Sequence, residues 1–81
     1  NALCPVYVRT PGVMSALLQP AAPPGGNSVD DYLEEFVAAN TALRRLPTGN
    51  EIANTCLFLA SSASSAITGQ CINVDCGVLP Q

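Results

Sequence analysis

Residues 45–77 read RLPTGNEIANTCLFLASSASSAITGQCINVDCG, and the fold turns on how this stretch is read. Thr48 and Glu51 stand three apart just before an apolar run. That spacing is a capping box, in which the Thr48 hydroxyl accepts from the Glu51 amide and the Glu51 carboxylate accepts from the Thr48 amide. The run that follows is apolar at positions 52, 53, 56, 57, 58, 59 and 60. A helix built from it is apolar around most of its circumference and calls for cover on more than one side. Ser61 to Ser65 are small and polar and break the pattern. Thr68-Gly69 offers a turn in which Gly69 is free to take positive φ. Cys71 to Asp75 is short and holds two β-branched residues, Ile72 and Val74, which suits a strand.

The segment before it gives the clearest helical periodicity. Val29, Tyr32, Leu33, Phe36 and Val37 form one apolar stripe, and Ser28 is placed to cap it. We expect a helix over 28–45, with Asp30, Asp31, Glu34 and Glu35 in its first turns and Arg44 and Arg45 closing the last, both favourable to the helix dipole. The acids read as a solvated face rather than as paired catalytic carboxylates. Residues 11–27 are the least ordered by sequence, punctuated by Pro20, Pro23, Pro24 and a Gly-Gly pair, with one helical turn expected over Met14–Gln19. At the front, NALCPVYVRT (1–10) reads as a strand running into a loop, with Pro5 ending the ladder.

Composition narrows the function classes. Only 11% of the 81 residues are charged against 48% hydrophobic, and an apolar content that high needs more covering surface than so short a chain supplies. We therefore expect part of something larger, or an obligate partner. Arg9, Arg44 and Arg45 are the only basic residues and the net charge is −3, which argues against a nucleic-acid partner. No apolar run reaches the roughly 20 residues of a membrane span. The first residues hold no basic region of the signal-peptide kind. A cytoplasmic location is expected. Cys4, Cys56, Cys71 and Cys76 read as buried free thiols rather than disulfides, and without a His or a C-x-x-C pair no metal site is expected.

The ordered pieces Arg45-Leu46, Glu51-Ile52-Ala53, Phe58-Leu59-Ala60-Ser61, Ile67-Thr68-Gly69-Gln70 and Val74-Asp75-Cys76-Gly77 resemble the C-terminal signature of the short-chain dehydrogenase/reductase family. That signature runs R-L-G-x-P-E-E-I-A, an apolar helix ending F-L-A-S, then I-T-G-Q and V-D-G-G. Asn1, Leu3, Pro5, Val8 and Thr10 fall where the family carries N-x-V-x-P-G-x-V-x-T. The resemblance implies an α/β fold, the C-terminal part of a doubly wound, Rossmann-like parallel sheet that is incomplete on its own. It divides the chain into a strand and nicotinamide-side loop (1–10), a lid loop and helix (11–47), and the last helix and strand (48–81).

It also implies a cofactor, NAD or NADP, faced by Pro5, Val8 and Thr10. The Val8 backbone would pair with the carboxamide, and the Thr10 hydroxyl would reach the carboxamide or phosphate region. The lid would contribute Met14, Leu17 and Leu18 over a small alcohol or carbonyl substrate. The implied activity is hydride transfer between nicotinamide and that substrate, in a homo-oligomer. No catalytic residue is expected within the chain itself. The family's Y-x-x-x-K is absent, since the chain holds no Lys, and so is the Gly-rich turn after a first strand. Asn1 falls inside the family's strand rather than before it, so the sequence reads as a segment of a longer protein or one piece of a two-piece one. Five positions depart from the pattern. Val6 stands where the family has Gly, Pro47 and Gly49 are exchanged relative to it, Asn50 replaces an acid, and Cys76 replaces the first Gly of the last pair. Val6, Cys76 and the Pro47/Gly49 exchange motivate the other reading, a non-catalytic relative kept as a structural or interaction module.

Overall fold

The computed structural model describes residues 1–79. Two short strands, β1 (Ala2–Pro5) and β2 (Cys71–Val74), pair in parallel, with Ala2 opposite Cys71 and Pro5 opposite Val74. Parallel neighbours need a long crossover, and everything between them is that crossover: helices α1 (Pro11–Leu17), α2 (Val29–Asn40) and α3 (Gly49–Ala60), then a 3₁₀ turn over Ser62–Ser64. Pro5 has no amide to donate, and it is the last residue of β1, as its chemistry requires. The last unit read from the sequence, 48–81, includes residues 80 and 81, which lie outside the described residues.

Asn1 ties the entry to β1 to the turn before β2. Its side-chain amide donates to the Ile67 carbonyl at 3.2 Å and its carbonyl accepts from the Gln70 amide at 3.0 Å. Gly69, at φ +70, makes that turn. After β2, the buried Asp75 carboxylate accepts from the amides of Gly77 (3.0 Å) and Leu79 (2.9 Å) and so folds the following loop. Cys76 in that loop is left-handed, φ 55. A glycine adopts this conformation without the clash of Cβ against the following carbonyl, so backbone conformation alone accounts for the family's glycine here. The next residue, Gly77, is needed twice over. Its φ is +86, and a Cβ on it would come within 2.5 Å of the Ala42 Cβ.

The helix expected over 28–45 stops at Asn40. Thr41 is extended (φ −99, ψ 137), and the amides of Ala42 and Leu43 both donate to the Cys76 carbonyl instead of continuing the helix. The apolar stripe had already ended at Val37, so nothing paid for further turns. Arg44 and Arg45 therefore lie beyond the helix, and Arg44 is left-handed at φ 59. The short helix expected at Met14–Gln19 instead starts at Pro11, with the Thr10 hydroxyl accepting from the Val13 amide. Thr-Pro at a helix start is a signal the reading of 11–27 as a proline-broken loop passed over.

The capping box of α3 forms as read, at 3.2 Å for Glu51 N to Thr48 Oγ1 and 2.9 Å for Thr48 N to Glu51 Oε1. Arg45 joins it with two bonds to the Glu51 carboxylate, 2.6 and 2.8 Å. A buried cluster of Leu17, Val29 and Leu33 forms the core, with Tyr7, Val13, Met14, Tyr32 and Leu46 against it. Helix α3 packs on β1 and β2 with one face, and none of its residues is buried. The radius of gyration is 14.6 Å, against about 12 Å for a compact domain of this length. The four cysteines are free, but Cys56 and Cys71 are exposed and Cys4 and Cys76 only half-buried, so the expectation of buried thiols fails within the described residues. Cys56 sits on α3, which among the described residues packs against the two strands and the 3₁₀ turn and is left uncovered elsewhere.

Candidate functional site

The site begins where β1 ends. Residues 6–10 bridge Pro5 and Pro11, and within them one backbone hydrogen bond forms a tight turn, from the Thr10 amide to the Val8 carbonyl at 2.7 Å. The Val8 amide makes no hydrogen bond among the described residues. Like the Tyr7 and Arg9 amides beside it, it is a donor left over at the carboxyl end of a parallel strand, where open α/β sheets bind ligands. Val6 does not take positive φ. A β-branched residue is therefore unstrained there, and what sets Val6 apart from the family's Gly is its bulk.

Pro5 ends β1, Val8 and Thr10 lie in the short loop that follows it, and Thr10 doubles as the cap of α1. The three lid residues separate. Leu17 is buried in the core and Met14 packs half-buried against it, while Leu18 is 68% exposed. Of the three, Leu18 is the one whose side chain is exposed; Leu17 anchors the helix in the core.

A cleft of about 660 Å³ opens beside the loop. Val8 and Arg9 of the loop, Leu33, Glu34 and Val37 of α2, and Arg44 and Thr48 are among the residues that line it. The volume suits a small organic ligand. Its lining mixes apolar side chains with Glu34 and three arginines, of which Arg9 and Arg45 are already paired with Asp30 and Glu51.

Sequence reasoning missed what holds this loop. The Tyr7 and Tyr32 hydroxyls are 2.9 Å apart, and the Tyr7 ring meets the rings of Tyr32 and Phe36 edge-on at 5.9 and 5.0 Å. The hydrogen bond to Tyr7, with partial burial second, holds the Tyr32 hydroxyl above the usual phenol range. Arg9 reaches Asp30 in the first turn of α2 at 2.7 Å. One signal was available, because Tyr32 is the single hydroxyl on an apolar stripe, and a tyrosine so placed generally finds a partner.

A family model described as enoyl-(acyl carrier protein) reductase matches residues 1–79. The uncharacterized oxidoreductase YvrD of Bacillus subtilis is 34% identical over 98% of this chain, which spans 31% of that protein. The galactitol 2-dehydrogenase of Rhizobium johnstonii is 36% identical over 95% of the chain and 26% of its own length. Among solved structures, the ligand-free aldohexose dehydrogenase of Thermoplasma acidophilum superposes with a TM-score of 0.73 at 31% identity, over 95% of this chain and 29% of that one. The chain thus spans about a third or less of the curated relatives it matches. Its two parallel strands and their helical crossover are the corresponding part of a Rossmann-like α/β sheet. The chain belongs to the short-chain dehydrogenase/reductase family.

Proposed function

We propose that the chain is the C-terminal portion of an NAD(P)-dependent oxidoreductase that moves hydride between nicotinamide and an alcohol or carbonyl carbon. Residues 1–10 supply the strand and nicotinamide-side loop, 11–47 the lid, and 48–81 the last helix and strand. The observation that carries the reading is the unpaired Val8 amide, on a loop following a parallel strand and beside an open cleft. Pro5 sets the loop's exit, the Val8 backbone meets the carboxamide, and Thr10 keeps its hydroxyl hydrogen to donate while its oxygen caps α1. Leu18, with Met14 behind it, faces the substrate. Proton transfer and pyrophosphate binding fall to a Tyr-Lys pair and a Gly-rich turn elsewhere in the intact protein, so these residues alone are inactive. The relatives named for galactitol and aldohexose oxidation make polyhydroxylated alcohols the first substrates to try.

The protein on this reading is a homo-oligomer, with Leu57 and Phe58 of α3 at or near a two-fold contact and Leu59, Ile72 and Val74 beneath it. Leu57 is 69% and Phe58 42% exposed, on a helix that one sheet face covers on one side only. No helix of the described residues is long and apolar enough to cross a membrane. Free thiols fit a reducing, cytoplasmic setting.

The test is titration of the intact protein with NADH and NADPH, followed by turnover with polyols and their carbonyl counterparts, read by dinucleotide absorbance. Saturable binding and turnover with one of the pair are expected. Failure to bind either dinucleotide rejects the proposal and leaves the non-catalytic relative, which the bulky Val6 in the cofactor loop favours.

A further inference from the structure

We propose that Tyr7 and Tyr32 form a clamp that fixes the Val8 backbone against helix α2, making Tyr32 a positioning residue for the nicotinamide ring. The inference rests on the cofactor-facing role given above to Val8. Loop 6–10 has little to define its shape from within. Its one internal hydrogen bond closes the Val8–Thr10 turn, and prolines at 5 and 11 bound it. What defines it comes from α2, on either side of Val8. Tyr7 is held by the Tyr32 hydroxyl at 2.9 Å and by the rings of Tyr32 and Phe36. Arg9 is held by Asp30 at 2.7 Å.

The two anchors differ in strength. The Arg9–Asp30 pair is exposed, with side chains 47% and 71% accessible, so solvent and salt screen it. The tyrosine pair is partly buried against the Leu17–Val29–Leu33 cluster, and there a hydrogen bond is worth more and its loss is felt. Tyr32 and Phe36 lie one turn apart on α2, so Tyr7 is gripped by a rigid helical face rather than by another loop. The element that borders the cleft and the backbone that meets the carboxamide therefore move as one body. A shift of α2 is transmitted to the Val8 amide without any contact between α2 and the cofactor.

The test removes one oxygen atom. Tyr32→Phe in the intact protein keeps the ring packing and deletes the hydroxyl pair. We expect the Kd and KM for the nicotinamide dinucleotide to rise about fivefold, the scale of one net hydrogen bond. Binding of ADP-ribose, which lacks nicotinamide, should stay unchanged, as should the KM for the alcohol or carbonyl substrate. Tyr7→Phe should reproduce the effect, and the double variant should be no worse than either single, because both changes break the same bond. A general loss of structure would weaken ADP-ribose and dinucleotide alike, and that result overturns the clamp. So does a Tyr32→Phe protein with unaltered dinucleotide affinity. If the unaltered protein binds ADP-ribose and dinucleotide equally poorly, the oxidoreductase reading falls with it; a wild type that binds and a variant that binds as well sinks the clamp alone.

Discussion

Helices α2 and α3 are both twelve residues long, and both open on a hydroxyl cap, Ser28 and Thr48. They differ in what they do with apolar surface. Helix α2 carries four acids and one narrow stripe, and it buries Val29 and Leu33, the latter to 1% exposure. Helix α3 is the more apolar of the two and buries nothing. The stripe on α2 is matched by partners within the chain, Leu17 and the aromatic pair. The all-round apolarity of α3 is matched on one side by the two strands and on the others by nothing among the described residues. Amphipathicity thus marks the helix that finds its core locally. Apolarity on every side marks the one whose energetics depend on a further surface.

The strongest way to break this contrast is to substitute one residue on each helix. Leu33→Ala in the intact protein should cost about 2–5 kcal/mol, read from the denaturation midpoint, because it empties space at the centre of the cluster. It should leave the sedimenting mass unchanged. Phe58→Asp should act the other way, dissociating the oligomer, since a carboxylate at a closed apolar contact is expensive to desolvate. If Phe58→Asp sediments as the wild type does, the uncovered face of α3 is not a subunit contact and the distinction between the helices fails.

How much of this was legible depends on the range of the forces involved. The capping box at Thr48–Glu51, the turn at Gly69 and the α2 stripe are local, decided within four residues, and they stand where the sequence put them. The end of α2 was not legible. It is decided by the Cys76 carbonyl, 34 and 33 residues away from the amides of Ala42 and Leu43 that it accepts. The same holds for the loop after β1. Pro5, Val8 and Thr10 emerged through the family pattern, whereas Tyr7, Arg9 and their partners on α2 are paired across 25 and 21 residues, with no local spacing to announce them. Leu17 is assigned to the lid through the family pattern, and nothing in its local sequence marks it as buried. Its burial comes from Val29 and Leu33, which lie beyond the proline segment.

A smaller effect sharpens the contrast at the start of α3. The Arg45 guanidinium, and after it the Thr48 amide, hold the Glu51 carboxyl down from 4.5 to about 2. A carboxyl lowered on folding contributes stability that is complete above its unfolded value and is lost as pH falls through the folded one. The contribution of Glu51 should therefore be full above about pH 4.5 and fade toward pH 2. The Arg45–Glu51 pair is about half exposed, so its worth is modest and declines with salt. Melting curves of wild type and Glu51→Gln should differ at pH 6 and converge as the pH drops. A gap that stays constant down to acid would show that Glu51 acts by packing rather than by charge. No corresponding pH effect is expected from the cap of α2, where Ser28 makes a neutral bond to the Asp31 amide.

The smallest effect concerns one residue after a threonine cap, and the chain contains its own control. Helix α1 starts Thr10-Pro11, and its cap sits at φ −92, ψ 157. Helix α3 starts Thr48-Gly49, and its cap sits at φ −90, ψ 159, the same conformation within a few degrees. A residue before proline must be extended, and Thr48 already is. Proline at the first helical position loses no hydrogen bond, because that amide has no partner in the helix, and Gly49 donates none among the described residues. There is room as well, since a Cβ on Gly49 would meet nothing within 4 Å. Gly49→Pro should therefore stabilise the intact protein by about 0.4–1 kcal/mol, through the lost freedom of the unfolded chain. The check is a rise in melting temperature with the sedimenting mass unaltered. A fall would mean that the Gly49 amide, which lies on the wall of the cleft, has a partner that the helix does not supply.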